Sequence, residues 1–313
     1  MNKLLVVAGP TASGKTALGI ALAKRLNGEI VSADSMQIYR GMDIGTAKAD
    51  ADERREVPHH MIDLLEPGEN YSVSRYVEDA GRVCEALFRE GKQPIVVGGT
   101  GLYIDALIAG RRFAGEGGDG TRLREELSRD YDRLGGACML ERLRAVDPAR
   151  AQKLAATDRR RIIRALEVYS LTGKSISQHD EESRRQSPAW PALYTVLYFT
   201  DRAKLYERIE ARVDRMCAEG LFEETEELLK RGIPEESTCM QAIGYRQAGM
   251  ALRGLCSREE AVGLIKQATR RYAKRQLTWF RRHEEAKWLD ADGVSAEELA
   301  ETVQKRFWKE GEE

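Results

Sequence analysis

An apolar run, Leu4-Leu5-Val6-Val7-Ala8, leads directly into Gly9-Pro10-Thr11-Ala12-Ser13-Gly14-Lys15-Thr16, and Ala17 to Leu26 reads on as a helix. Strand, glycine-bearing loop and helix in that order are the setting of a phosphate-binding P-loop. Glycine lets the backbone fold around an anion, and the loop amides and helix N-terminus present positive partial charge to it. Lys15 reaches terminal phosphates, and the Thr16 hydroxyl can ligate Mg²⁺. Gly9, Thr11, Ala12, Ser13, Gly14, Lys15 and Thr16 are therefore the expected binding set for a di- or triphosphate. The same feature commits the surrounding residues, 1 to about 110, to alternating strands and helices around a parallel sheet.

A P-loop does not name its phosphate compound. In a nucleotide hydrolase a second apolar strand ends in an acid that serves the metal. Here the best second strand, Pro94-Ile95-Val96-Val97, runs instead into Gly98-Gly99-Thr100-Gly101. A different strand, Ile30-Val31-Ser32-Ala33, ends in Asp34, followed by Ser35-Met36-Gln37-Ile38-Tyr39. A carboxylate at the carboxyl edge of a parallel strand is where a ligand-facing group sits in an open α/β sheet, although a metal ligand or a helix cap would occupy the same place.

The first 112 residues and 191–313 are expected to form the P-loop core, the latter starting with a strand, Leu193 to Phe199. Residues 113–190 are expected to form a helical insertion entered through a flexible stretch, Gly115 to Gly120. In the helix after Leu193–Phe199, Leu205, Ile209, Val213 and Met216 make an apolar stripe beside Arg208, Arg212 and Arg215. That basic face serves equally as a lid over phosphate or as an exposed helix paired with Glu207, Glu210 and Asp214. A last long helix, about 258 to 280, is expected to pack Ala261, Leu264, Ile265, Ala268 and Tyr272 inward and to expose Arg271, Lys274 and Arg275. Trp279 and Phe280 suit a core as well as an RNA surface.

The ordered motifs resemble those of bacterial tRNA dimethylallyltransferases over nearly the whole chain: the P-loop at 9–16, Ser-Ala-Asp-Ser-Met-Gln-Ile-Tyr at 32–39, Gly-Met-Asp-Ile-Gly-Thr-Ala-Lys at 41–48 and Gly-Gly-Thr-Gly-Leu-Tyr at 98–103. Arg160 to Glu167, Ile243-Gly244-Tyr245-Arg246 and Lys274 to Trp279 continue the series. The resemblance implies a P-loop-like α/β fold and transfer of a dimethylallyl group from its diphosphate to the exocyclic amine of the adenosine 3′ of a tRNA anticodon. It also narrows the ligand of the P-loop set to a diphosphate and implies Arg212 as a further diphosphate ligand. Two departures stand out. Family members often carry His-Pro-Asn-Asp where this chain has Ala155-Ala156-Thr157-Asp158, and the zinc-finger tail of eukaryotic relatives has no counterpart before Glu313.

Under that reading the catalytic set is Asp34, Thr11, Lys15 and Arg212. Lys15, Arg212, the loop amides and Mg²⁺ on Thr16 would neutralise the leaving diphosphate, and Asp34 would accept the proton that the adenine amine loses. The adenosine must be flipped out of its stack, with Asp34, Ser35, Met36 and Gln37 on one side of the slot and Thr100 on the other. Gln37 offers both a donor and an acceptor to a base edge.

With a net charge of −1 the whole-molecule field does not attract a polyanion, so RNA must be met by local patches. Asp158, Arg159, Arg160, Arg161, Ile162 and Arg164 form one candidate surface, and Arg271, Lys274 and Arg275 the other. The anticodon stem-loop and dimethylallyl diphosphate are the expected partners, and a monomer is expected. Five scattered cysteines, four histidines without metal spacing, no leader before the first strand and no apolar run near about 18 residues predict a cytoplasmic protein with no membrane partner. His59-His60 reads as a structural turn. Three rivals share parts of this pattern: an ATP-dependent small-molecule kinase, a prenyltransferase acting on free AMP, and a non-catalytic RNA-binding module. A kinase would be stabilised more by ATP and Mg²⁺ than by a prenyl diphosphate, the basic patches exceed what AMP needs, and a binding module would leave Lys15 and Asp34 idle.

Overall fold

The computed structural model describes residues 2–110, 119–185 and 188–308. Contacts divide the chain into two compact units, residues 1–110 with 189–313 and residues 111–188. Of the stretch read as a linker, residues 115–118 lie outside the described residues, and Asp119-Gly120 already begin a helix.

The first unit is built on a six-stranded sheet, all parallel: β1 (Leu4–Ala8), β2 (Gly28–Ser32), β3 (His59–His60), β4 (Gln93–Gly98), β5 (Ala192–Tyr198) and β6 (Lys287–Asp290), in the order β3-β2-β4-β1-β5-β6. Helices α1 (Lys15–Arg25), α2 (Ala51–Glu56), α3 (Val73–Arg89) and α4 (Gly101–Ala109) belong to its first half. The chain steps from β1 out to β2 and returns to insert β4 between them, then departs to β5 on the other side of β1. The carboxyl ends of β1, β2 and β4 therefore meet where the strand order reverses, the usual place for a ligand in such a sheet. His59-His60 forms an edge strand and not the expected turn, because its backbone pairs with Ile30 and Val31.

Period-two alternation distributes the strands between two cores. Leu5 and Val7 face one layer with Leu18, Leu22 and Ile209, while Leu4, Val6 and Ala8 face the other with Tyr76, Ala80, Cys84 and Ile104.

In the second unit, α5 (Asp119–Val146, bent at Gly135), α6 (Pro148–Ala151), α7 (Arg159–Thr172) and α8 (Ile176–Arg185) enclose Leu127, Met139, Leu143, Ile162, Ile163 and Leu166. The first unit closes with α9 (Arg202–Ala218), α10 (Leu221–Lys230), α11 (Tyr245–Leu252), α12 (Arg258–Phe280) and α13 (Ala296–Thr302). Helix α12 buries Ala261, Ile265, Ala273, Gln276 and Phe280. Leu264, expected to point inward, is 40 % exposed, and Val262 takes part in the packing instead.

Candidate active site

The P-loop leaves β1 through Gly9, whose φ of +152° and closeness to the Leu197 backbone (a Cβ there would lie 2.9 Å from its carbonyl oxygen) leave room only for glycine. Ala12 adopts the left-handed conformation, φ 64°, and Gly14 caps α1 in the same region, φ 90°. Lys15 Nζ donates to the Pro10 carbonyl at 2.6 Å. Ala12 to Ala17 form one side of a cleft of about 1080 Å³. Arg208, Ala211, Arg212, Arg215 and Met216 of α9 form a second side, and Asp43, Ile44, Ala47, Lys48 and Ala49 a third.

The two readings of the α9 arginines are now separable. Two of the three acids that might have neutralised them are engaged by α12: Glu210 pairs with Arg270, and Asp214 lies 2.6 Å from Lys266. Arg208 donates from Nε to the Ala12 carbonyl at 3.0 Å and lies over the Phe199 ring. Arg212 and Arg215 line the cleft, with Arg212 Nε buried and without a hydrogen-bond partner. Burial, and after it the Arg212 charge, lowers the Lys15 pKa to about 7 against a small opposing effect of Asp34. Burial likewise lowers that of Arg212, with Asp34 acting against it and Arg215 with it. Lys15 and Arg212 form no ion pair among the described residues, and the Asp34 charge does not offset their burial, so an anion would stabilise both. Ser13 Oγ is a further buried polar atom without a partner.

The second half of the site lies around Asp34. Its Oδ1 accepts from the Met36 amide at 2.9 Å, which turns the chain at the end of β2. The Ser35 amide donates to Thr100 Oγ1 at 3.2 Å, and the Thr100 amide to the Ala33 carbonyl at 3.1 Å. Asp34, Ser35 and Thr100 are thus brought together as the sequence predicts. The end of β4 and the turn after it are glycine-rich because the chain leaving β2 and helix α12 both press on them. A Cβ at Gly98 would meet the Ala33 carbonyl oxygen at 2.2 Å, one at Gly99 the Gln276 amide at 2.1 Å, and one at Gly101 the Trp279 ring at 2.2 Å.

Gln37 does not stand free for a base edge. Ser32 Oγ donates to its Oε1 at 3.0 Å, and its Nε2 donates to the Thr46 and Ala47 carbonyls at 3.3 Å each, so both ends of the amide hold the chain itself. Met36 is half-buried against the cluster around Ile38 and Tyr39.

Three residues at the site escaped the sequence reading as site residues. Gln276, buried on α12, accepts the Thr11 amide on Oε1 at 2.9 Å and donates from Nε2 to the Gly99 carbonyl at 2.9 Å. Tyr272, read only as core, meets the Thr100 and Gln276 side chains, and burial, then the Asp34 charge, pushes its pKa up to about 12. Arg208 was visible in the basic face but carried no role. The available signal for Gln276 was its position four residues after Tyr272, a polar group on the inward stripe.

The basic surfaces are unequal. On α12, Arg271, Lys274 and Arg275 are exposed and make no ion pair among the described residues, and Arg275 lies over the Tyr272 ring. On α7, Arg160 is exposed and Arg161 only approaches Asp158, at 3.6 Å. Arg159 is held by Ser128 and Asp132 at 2.6 Å each, and Arg164 by the fully buried Glu167 at 3.0 Å, which Arg124 also engages. Asp158 Oδ2 accepts from the Ala155 amide, which closes the turn where the family's His-Pro-Asn-Asp is missing. Ile162 is a correction: it is completely buried in the second unit's core, so its side chain can support the helix but cannot touch RNA.

The described residues contain no cluster of three or more His, Cys, Asp or Glu side chains suited to a metal, and no helix long and apolar enough to cross a membrane. Residues 37–283 match the family described as IPP transferase, and residues 2–63 that described as isopentenyl transferase. A tRNA dimethylallyltransferase from Carboxydothermus hydrogenoformans is 48% identical over 96% of both chains, and one from Pelotomaculum thermopropionicum 47% over 96% of this chain and 95% of its own. The full-length tRNA isopentenylpyrophosphate transferase of Bacillus halodurans superposes with a TM-score of 0.73 at 38% identity, covering 100% of this chain and 99% of its own. A eukaryotic dimethylallyltransferase solved acting on tRNA gives 0.77 at 28%, over 99% of this chain and 78% of its own. A cleft at the P-loop walled by arginines that form no ion pair among the described residues, an acid beside it at a strand end, and these relatives over nearly full length lead to one conclusion: the chain belongs to the tRNA dimethylallyltransferase family.

Proposed function

We propose that this protein transfers a dimethylallyl group from dimethylallyl diphosphate to the exocyclic amine of the adenosine 3′ of the anticodon in tRNA. The observation that carries the reading is the placement of Lys15 and Arg212 in one cleft, with no ion pair among the described residues and within electrostatic reach of the Asp34 carboxylate. As the allylic C–O bond breaks, negative charge gathers on the diphosphate, where Lys15, Arg212 and the loop amides stabilise it. The amine nitrogen forms the new bond to the allylic carbon and gives up a proton, for which Asp34 is the acceptor. Thr11, with its amide fixed by Gln276, and Thr100, fixed against Ser35, orient the two reactants.

Thr16 lies in the cleft, and a hydroxyl completed by phosphate oxygens and water suits Mg²⁺, which seldom occupies an all-protein cage. When bound, Mg²⁺ would add to the neutralisation of the leaving group. The anticodon stem-loop would be held by α12 and by the exposed arginines of α7, mainly through phosphates, by a monomeric protein in the cytoplasm.

The test is incubation with unmodified tRNA and labelled dimethylallyl diphosphate, followed by nucleoside analysis. Label in the adenosine 3′ of the anticodon is the expected result. Label absent from tRNA, together with Lys15-dependent consumption of ATP, would overturn the reading in favour of a kinase.

A further inference from the structure

Two motifs of the sequence, Gly41 to Lys48 and Ile243 to Arg246, receive no role in the chemistry above. They meet at one carboxylate. Glu224, in the first turn of α10, accepts on Oε2 from the Asp43 and Ile44 amides at 2.9 Å each, and on Oε1 from the Gly45 amide at 3.1 Å and the Tyr245 hydroxyl at 2.6 Å. Three successive amides converging on a point form an anion-binding nest, and Glu224 is the anion that fills it. Gly45 packs so closely on Tyr245 that a Cβ there would lie 2.5 Å from the ring.

The segment so held forms no helix or strand of its own. It is also anchored by the Gln37 amide on the Thr46 and Ala47 carbonyls, by the fully buried Lys48 side chain, which donates to the Tyr39 carbonyl, Asp43 and Asp63, and by Met42 and Ile44 packed in the cluster around Tyr245. Asp43, Ile44, Ala47 and Lys48 are the wall of the phosphate cleft that faces the P-loop and α9. Two of the three amides on Glu224 therefore belong to residues that line the cleft.

We infer that Glu224, seated by Tyr245, is a positioning residue that sets the far wall of the diphosphate cleft and thereby the affinity for the prenyl diphosphate. The inference rests on the reading of that cleft as the prenyl diphosphate site. Glu224 is not among the residues that line the cleft. Its effect runs through the backbone of residues 43–45, so its loss should weaken diphosphate binding and leave the chemical step and RNA binding nearly unchanged.

The experiment compares the parent with Glu224→Ala, Glu224→Gln and Tyr245→Phe. Amide hydrogen exchange is followed at residues 43–45, affinity for inorganic diphosphate with Mg²⁺ is measured by calorimetry without RNA, and kcat and KM for dimethylallyl diphosphate are measured with tRNA. Glu224→Ala should speed exchange at the three amides, weaken diphosphate binding about tenfold and raise KM in proportion, with kcat within about twofold. Glu224→Gln, which keeps a carbonyl acceptor, should restore part of the loss. Tyr245→Phe removes a single donor while keeping the ring, so it remains informative if Glu224→Ala does not fold, and it should show the same pattern more weakly. Faster exchange with unchanged diphosphate affinity, or a loss of kcat without a change in KM, would overturn the inference. Because diphosphate binding is read without RNA, a parent that binds diphosphate but transfers no prenyl group would overturn the proposed function, while weaker binding in Glu224→Ala would still support the role of Glu224.

Discussion

The Gln276 side chain of α12 accepts the Thr11 amide of the phosphate loop at 2.9 Å and donates to Gly99 on the neighbouring loop at the same distance. A single buried amide therefore holds the phosphate loop and the loop after β4 in register. Gln276→Leu strands a backbone donor and a backbone acceptor, at about 1–3 kcal/mol each, so urea unfolding should show a loss of a few kcal/mol. Single-turnover transfer should fall with it. Stability and rate close to the parent's would show that the bridge is dispensable.

Under the proposed function Asp34 would have two tasks that one substitution would confuse, since its Oδ1 also accepts the Met36 amide. Asp34→Asn keeps that acceptor and removes the basic carboxylate. Transfer should drop by about 10²-fold or more while tRNA affinity stays nearly intact, and Asp34→Ala should abolish transfer. Turnover within about tenfold of the parent in Asp34→Asn would remove the acid from proton acceptance.

Lys15 should make diphosphate binding a proton-linked event. With its pKa lowered to about 7, the free protein at pH 8 holds Lys15 mostly neutral, and an anion beside it raises the pKa again. Binding at pH 8 should take up close to one proton, and at pH 6 almost none. Affinity should weaken as pH rises above 7. In the absence of anion the sign for stability is the reverse of the usual lysine case: the unfolded chain binds the extra proton between about 7 and 10.5, so this group's contribution to stability rises with pH through that window. Calorimetry in buffers of different ionisation enthalpy decides the first point, and heats independent of buffer at pH 8 would refute it.

The two basic surfaces should contribute unequally to RNA binding. Replacing Arg271, Lys274 and Arg275 by alanine removes three exposed cations without an ion pair, and should weaken tRNA binding and flatten its salt dependence. Replacing Arg160 and Arg161 should do so to a smaller extent. Arg159→Ala and Arg164→Ala should instead cost stability of the helical unit, because each arginine already serves an acid there. An unchanged salt slope in the α12 variant would make that face an ordinary solvated helix.

Wherever a local pattern expresses a local necessity, the sequence was readable. The P-loop is legible because its glycines, lysine and flanking apolar run are adjacent, and the α12 boundaries at Arg258 and Phe280 follow from inward spacing. The carboxyl-edge acid Asp34 was legible for the same reason. Gln276 and Glu224 were not, because each is defined by partners far away in the chain, at Thr11 and at Asp43 to Gly45. Nor was the true use of Gln37, because it depends on how an irregular loop folds back to bring the Thr46 and Ala47 carbonyls to it. The edge strand at His59-His60 depends on backbone pairing with Ile30 and Val31, which two residues cannot announce. Ile162 was misjudged because its neighbours in sequence are arginines, whereas on α7 it faces the core.

The crowding at Gly98 bears on which phosphate chemistry this strand end can host. A nucleotide hydrolase needs an acid at the end of the strand beside its phosphate loop. Here even a methyl group at residue 98 would lie 2.2 Å from the Ala33 carbonyl oxygen, inside the neighbouring backbone. No single change at this position can install that acid without prising β2 from β4, the pair that carries Asp34 and Thr100. Main-chain packing therefore keeps that acid away from the end of β4, whatever phosphate compound the cleft receives.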